Sequence, residues 1–341
     1  MPEGERPAID EEAVLAARAA WLYYAASLTQ SEIAQRLEVT LAKAHRLIAR
    51  ATREGLVRVF VEGPSAGCIT LEDALTDQHG LRFCRVVPDL GESGLPLQAL
   101  GRAAASFLQS VLERGEHPII GVGHGRSLAA MVDNLPRATH DEVCFVSLLG
   151  GLPRRSNANP FDVIHRLAER TAAAAYLLPV PFFVDVAADR KVLLRQRGVS
   201  EALAVAAKAS LFLVGIGEVA GEAFLPASGI ISRAEADAIR RAGGVGELLG
   251  RFLDAEGREI PTELHARVIA LAPNEMKGRE VVAVAGGPSK TDAIRAVLAS
   301  GLVTALITDE QTARRLVGPM PGRVKTIRRG TDNERQSQGS L

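Results

Sequence analysis

Beyond about residue 100 this chain is punctuated by five strand-length runs, each apolar along almost its whole length. They are Ile119 to Val122, Cys144 to Leu149, Leu211 to Ile216, Val281 to Ala285 and Val303 to Ile307. A strand with one wet face alternates apolar and polar residues, and a strand without that alternation is covered on both faces. Helical stretches separate the runs, including Leu97 to Glu113, Asn159 to Ala175, Ser232 to Ala242 and Lys290 to Ala299. Strands and helices in this alternation predict an α/β domain, a Rossmann-like parallel sheet with helices on both sides. Most of the runs lead into glycines: Gly121-Val122-Gly123, Gly150-Gly151, Gly215-Ile216-Gly217 and Gly286-Gly287. Open α/β sheets bind ligands at the carboxyl ends of their strands, so the glycine loops predict a binding site there.

The first sixty residues follow a different pattern. A helix is expected from Glu11 to Ser27, with Trp21, Tyr23 and Tyr24 near its end. Thr29 and Thr40 are good N-caps for two further helices, and Thr29-Gln30-Ser31-Glu32 is a capping-box pattern. Gly55 closes the third helix and a short strand follows from Leu56 to Val61. This order is that of a winged helix-turn-helix. Ile33, Ala34, Leu37 and Val39 face Leu41, Ala44, Leu47, Ile48 and Ala51, which leaves Lys43, Arg46, Arg50 and Arg53 as one basic stripe. No acid lies between Thr40 and Arg53. Lys43, His45 and Arg46 are placed to reach bases, with Gln30, Ser31 and Thr40 beside them, while Arg50 would grip phosphate. An ordinary amphipathic helix with a solvated basic face is the plainer alternative. Glu38 stands where such turns usually carry a glycine, which implies strain or a different turn.

The chain has 40 Lys+Arg and 40 Asp+Glu, so any DNA-binding field must be local. The start is acidic and broken by prolines, unlike a secretory signal. The longest apolar stretch, Ala172 to Val184, is too short to span a bilayer and contains Pro179 and Pro181. Cys68, Cys84 and Cys144 are widely spaced and read as buried reduced thiols, which fits a cytoplasmic setting. The histidines have no metal-ligand spacing, and no metal or cofactor is expected.

Three stretches of the larger region carry chemistry. Gly123-His124-Gly125-Arg126-Ser127 joins a strand end to a helix start, where backbone N–H groups and the helix terminus favour an anion. Alone, such a loop is as readily a tight turn. Lys290 follows Gly286-Gly287-Pro288-Ser289 at another helix start, against the macrodipole. Pairing with a bound phosphate would explain it, and so would a side chain pointing into water. Glu247 and Asp254 are candidates to accept hydrogen bonds from sugar hydroxyls, though Asp254 also suits a solvated turn.

Several blocks in order resemble the SorC family of sugar-binding transcription regulators, from about Glu12 to Val317: LTQSEIAQRL, RLIARATREGLVRV, GVGHGRSL, SLLGG, LVGIGEV, GVGELLGRFLD and VAGGPSK. The resemblance implies a DNA-binding regulator, expected to be a repressor of a carbohydrate or polyol operon, with an effector domain like a sugar-phosphate isomerase in fold. It implies a double-stranded operator, a sugar, polyol or sugar-phosphate effector, and a dimer or tetramer. By the same resemblance the Gly123 to Ser127 loop and Lys290 would hold a phosphate and Glu247 the hydroxyls. Arg126 replaces one of two threonines found in this loop in other members. Asn157 to His165 also resembles members tied to erythritol-type polyol breakdown. The expected organisation is a DNA-binding domain at 1–62, an effector and oligomerisation domain at 68–327 and a disordered tail at 328–341. The rival reading is an isomerase-like enzyme with an N-terminal helical extension. The basic stripe has no purpose in such an enzyme, and no paired-acid or His–carboxylate pattern is evident in the sequence near the glycine loops.

Overall fold

A computed structural model describes residues 11–26, 28–57, 66–151, 163–219 and 223–318. The expected 328–341 tail, most of the Leu56 to Val61 strand and positions 157–162 of the polyol-type stretch lie outside the described residues. The chain divides into two compact units, Met1–Gly63 and Pro64–Leu341.

In the first unit α1 (Glu11–Tyr24), α2 (Gln30–Arg36) and α3 (Leu41–Arg53) close around one small core. The residues that start α2 act as the sequence predicts. Thr29 accepts a hydrogen bond from the Glu32 backbone N–H, and the Glu32 carboxylate accepts from the Thr29 N–H at 2.8 Å. Thr40 caps α3 through the Lys43 N–H at 3.2 Å. Ile33, Ala34, Ala44, Leu47, Ile48 and Ala51 are buried. Glu38 in the turn has φ +53°, so the chain turns through a left-handed residue without using glycine. The first helix is shorter than expected, and Trp21, Tyr23 and Tyr24 at its end are exposed. Leu56 and Val57 form no strand.

The second unit contains α4 (Ala66–His79), β1 (Phe83–Val87), α5 (Leu97–Arg114), β2 (Ile119–Val122), α6 (Arg126–Asn134), β3 (Cys144–Ser147), α7 (Val163–Thr171) and β4 (Ala174–Tyr176). There follow α8 (Ala187–Leu194), α9 (Arg197–Ala206), β5 (Leu211–Val214), β6 (Gly217–Glu218), α10 (Phe224–Ala227) and α11 (Arg233–Arg241). The unit ends with β7 (Gly246–Leu248), β8 (Arg251–Leu253), β9 (Glu280–Val284), α12 (Thr291–Ala299), β10 (Ala305–Asp309) and α13 (Glu310–Val317). Seven strands form a parallel sheet in the order β1-β10-β9-β5-β2-β3-β4.

The five apolar runs are its five inner strands, and alternate side chains enter two cores. Leu211, Leu213, Val282 and Val284 pack on one side, whereas Phe212, Val214, Val281 and Ala283 pack on the other. Burying one such side chain is worth about 1.5–3 kcal/mol, which is why both faces stay covered. The edge strands β1 and β4 carried too little pattern to be anticipated. The helix expected over 159–175 ends at Thr171, because Ala172 takes φ +52° and turns the chain into β4. A small antiparallel sheet, β6-β7-β8, was also not anticipated. Its strands are two or three residues long, too short to show a period. Cys68 and Cys84 are buried and Cys144 half-buried, and burial pushes the Cys84 thiol up to about 12.

Candidate ligand pocket and nucleic-acid interface

Strand order determines where the pocket opens. From β2 the chain moves outward to β3 and β4, then returns to place β5 on the other side of β2. The connections leaving β2 and β5 therefore diverge, and the crevice between their carboxyl ends is where such sheets bind ligands. A pocket of about 770 Å³, counting its open mouth, occupies that position. The β2–α6 loop supplies His124, Gly125, Arg126 and Ser127. The segment after β5 supplies Gly215, Ile216, Gly217 and Glu218. Glu247 and Leu249 come from the β7–β8 hairpin, Lys290 from the turn before α12, and Leu149, Phe182 and Leu225 complete an apolar wall.

Gly125 is the N-cap of α6 with φ +130°, a conformation that favours glycine, and no side chain caps the helix. The first turn of α6 thus faces the pocket beside Arg126 and the buried Ser127. Gly123 differs from its expected role. Its N–H donates to the Leu213 carbonyl at 2.8 Å, extending the sheet, and it does not line the pocket.

Glu247 is held by its own hairpin. Leu249 and Gly250 both take positive φ, +50° and +78°, the signature of a two-residue type I′ turn. The Gly250 N–H donates to the Glu247 carboxylate at 2.5 Å. The other carboxylate oxygen sits where a side chain at residue 217 would begin, so Gly217 makes room for it. Burial pushes the Glu247 pKa up, against the Gly250 hydrogen bond and the Lys290 charge, which pull it down. Leu249 pays the strain of a left-handed residue at the pocket wall, a cost of order 1–2 kcal/mol.

Lys290 lines the pocket and does not simply point into water. Its ammonium donates to the Ile216 carbonyl at 2.6 Å. Burial pushes its pKa down, the carboxylates of Glu218 and Glu247 oppose that shift, and Arg126 adds to it. The glycines preceding it are also engaged. The Gly287 N–H donates to Asp309 at 2.8 Å and to the Thr312 hydroxyl at 2.9 Å, and all three residues are buried. Asp309, at the end of β10, was not picked out in the sequence, nor was Glu218. The only sequence signal for Glu218 was its position directly after Gly215-Ile216-Gly217. Asp254 lies in a turn, bonded to Arg258 at 2.9 Å, and does not line the pocket.

On the first unit, Lys43, His45, Arg46, Arg50 and Arg53 line one shallow groove along α3, with Glu12 at its side. His45, Arg46 and Arg53 are exposed, and Lys43 is half-buried. The stripe is less uniform than its sequence implies. Arg50 is ion-paired to Glu12 of α1 at 2.9 Å and to Glu54 at 2.7 Å, acids outside the acid-free segment. Gln30 and Ser31 occupy the first turn of α2, and Thr40 the cap of α3.

A helix-turn-helix unit with one basic face, in one chain with a pocket of charged groups against an apolar wall at a sheet's switch point, defines a ligand-responsive transcription regulator. A family model for a sugar-binding domain matches residues 64–318. The erythritol catabolism regulatory protein EryD of Brucella abortus is 50% identical over 314 residues, covering 92% of this chain and 99% of that protein. The transcriptional regulator LsrR of an Enterobacter species is 33% identical over 309 residues, 89% of this chain and 92% of its own. The full-length sorbitol operon regulator SorC from Klebsiella pneumoniae has a similar structure, with a TM-score of 0.73 at 25% identity. That match covers 91% of this chain and all of SorC. The chain belongs to the SorC family of sugar-binding transcription regulators. It is a regulator and not an enzyme. No described helix is long and apolar enough to cross a membrane.

Proposed function

We propose that residues 1–62 read a double-stranded operator through α3, and that residues 68–327 bind a small polyol or sugar that releases the DNA. Arg46, His45 and Lys43 face base edges, as the outer face of a recognition helix does in the major groove. Gln30, Ser31, Thr40 and Arg50 hold its position on the backbone. The observation that carries the sensing half is the pocket itself, in which Arg126, Ser127, Glu247 and Lys290 meet at the sheet's switch point. Charged donors and acceptors facing an apolar wall suit a polyhydroxylated carbon chain, whose hydroxyls both give and accept hydrogen bonds. Half the residues aligned with the erythritol catabolism regulator are identical, which favours a short polyol and a role in repressing a polyol catabolic operon. The regulator works in the cytoplasm as a dimer or tetramer, whose symmetry would match a palindromic operator.

The test is a panel of polyols, sugars and their phosphates, scored first by thermal stabilisation and then by release of labelled operator DNA. A true effector stabilises the folded chain by mass action and lowers operator affinity. If no member of the panel does either, the sensor reading fails.

A further inference from the structure

We propose that His265 is a positioning residue for the effector pocket, and that only its neutral form holds Glu247 in place. The inference rests on the sensor reading above and adds to it a residue that lies outside the pocket lining. Glu247 lies opposite Phe252, and Leu248 opposite Arg251, across the two-residue turn Leu249-Gly250. In such a hairpin the pair next to the turn exchanges both hydrogen bonds, and the following pair exchanges none. The backbone N–H and carbonyl of Phe252 therefore point away from β7. The Ile260 N–H donates to that carbonyl at 3.0 Å. The Phe252 N–H donates to Nε2 of His265 at 3.1 Å.

The imidazole thus holds Phe252 twice, because its ring also stacks on the Phe252 ring, with 5.9 Å between centroids and 9° between planes. Side chains in a non-hydrogen-bonded pair stand close together, so Phe252 is the support directly beside Glu247. Phe252 is buried, and a buried N–H without an acceptor is costly. Accepting that bond fixes the tautomer: Nε2 carries the lone pair and Nδ1 the proton. Nδ1 lies 2.8 Å from a Glu259 oxygen that also pairs with Arg251 at 2.9 Å. A second proton would sit on Nε2 and face the Phe252 N–H, donor against donor. Among the described residues, Glu259 and Arg251 are the charged groups that face the ring. Burial holds the imidazole pKa below its ordinary value, Glu259 opposes that shift and Arg251 adds to it. The neutral form is therefore present above the ordinary histidine range and is lost as pH falls through the lowered pKa.

The experiment combines hydrogen exchange of the full chain with calorimetric titration of erythritol and erythritol 4-phosphate, for wild type, His265→Ala and His265→Gln. The glutamine amide can accept from the Phe252 N–H and donate to Glu259, and it does not titrate. At about pH 7.5, His265→Ala should speed exchange across residues 246–253 about tenfold, and weaken probe binding about as much, as expected for one buried N–H left without an acceptor. His265→Gln should bring both back to within about threefold of wild type. Between about pH 7.5 and about pH 5, wild type should lose affinity, and protection of 246–253 beyond the intrinsic change in exchange rate, while His265→Gln keeps both. Titration of Glu247, Lys290 and the ester is common to the two proteins, so their difference isolates the imidazole. Identical pH profiles for wild type and His265→Gln would overturn the proposal. So would a His265→Ala chain that keeps residues 246–253 fully protected at about pH 7.5. If His265→Ala unprotects the whole sheet, the pH profiles of wild type and His265→Gln decide. If neither probe binds wild type, the exchange profiles still decide the role of His265, and the wider panel of polyols and sugars decides the sensor reading.

Discussion

The basic face of α3 and the pocket are both built from charged side chains, yet they are assembled in opposite ways. The face is drawn from one continuous stretch, with Lys43 through Arg53 placed by the turn of a single helix. The pocket is drawn from positions as far apart as His124 and Lys290, brought together by the order of strands in the sheet. The supporting cores differ likewise. Of the ten buried residues around α1–α3 only Leu22, Ile33, Leu47 and Ile48 are large, and the rest are alanines. The sheet has a covered core on each face, with Phe145 on one side and Phe212 on the other. A local surface on a small core should be easy to disable by one core substitution. A site built on two large cores should not.

Leu47→Ala tests that difference with the largest expected effect. Removing a buried leucine costs about 2–5 kcal/mol, and a core this small has little else to hold it. Hydrogen exchange should show α1–α3 losing protection while the sheet strands keep theirs, and gel shifts should show operator binding lost. Joint loss of protection in both regions would show that the two units are not independently stable.

Arg46→Ala comes next. The exposed Arg46 should be worth about 1–3 kcal/mol in specific binding, with relaxed base preference. Arg50→Ala should affect specificity less, because its guanidinium is shared between Glu12 and Glu54. Gel-shift titration at two salt concentrations against operator and random DNA separates the two. Equal losses of specificity would mean that the ion pairs do not restrain Arg50 on DNA.

The same contrast explains what could be read in advance. Thr29, Glu32 and Thr40 act within three or four residues of themselves, so α2 and α3 were legible from spacing. The five inner strands were legible because burial on both faces leaves no polar alternation. Edge strands β1 and β4 face one neighbour and carried no such mark. In the pocket, Arg126, Ser127, Glu247 and Lys290 were found through glycine loops and family blocks, and the structure brings them together. Glu218 and Asp309 were not found. Their positions depend on which strands are adjacent, and spacing along the chain does not encode adjacency. The partners of Lys290 were hidden for the same reason, since Ile216 and Glu218 lie more than seventy residues away.

Carboxyl groups in the two regions should also respond to pH with opposite signs. Hydrogen bonds from Thr29 hold the Glu32 carboxyl below its ordinary value. That contribution is present above the ordinary carboxylate range and is lost as pH falls through the lowered pKa. Burial holds Glu247 above its ordinary value, so its contribution is present at low pH and is lost as pH rises through the raised pKa. Melting curves of Glu32→Gln and Glu247→Gln across pH should each flatten one limb of the wild-type profile. Glu247→Gln leaving the slope above the ordinary carboxylate range unchanged would show that burial does not control its titration.

The smallest effect belongs to Glu38, and it separates backbone strain from charge. At φ +53° a side chain with a Cβ costs about 1–2 kcal/mol, whereas glycine adopts this conformation freely and loses about 0.5–1 kcal/mol in unfolded-state entropy. Glu38→Gly should therefore stabilise the first unit by up to about 1 kcal/mol, measured by urea unfolding. Glu38 is also an exposed acid two residues before the cap of α3, so removing it should modestly raise operator affinity at low salt. Glu38→Gln removes the charge and keeps the strain, so it should raise affinity without raising stability. Asparagine tolerates positive φ better than glutamine, and Glu38→Asn should fall between the two in stability. If Glu38→Gly instead destabilises the unit, side-chain contacts of Glu38 outweigh the strain of its backbone. The pocket offers the matching case in Leu249, which has the same positive φ but is buried against the ligand wall. There glycine would relieve the strain and remove an apolar contact together, so relief without cost is expected only in the turn before α3.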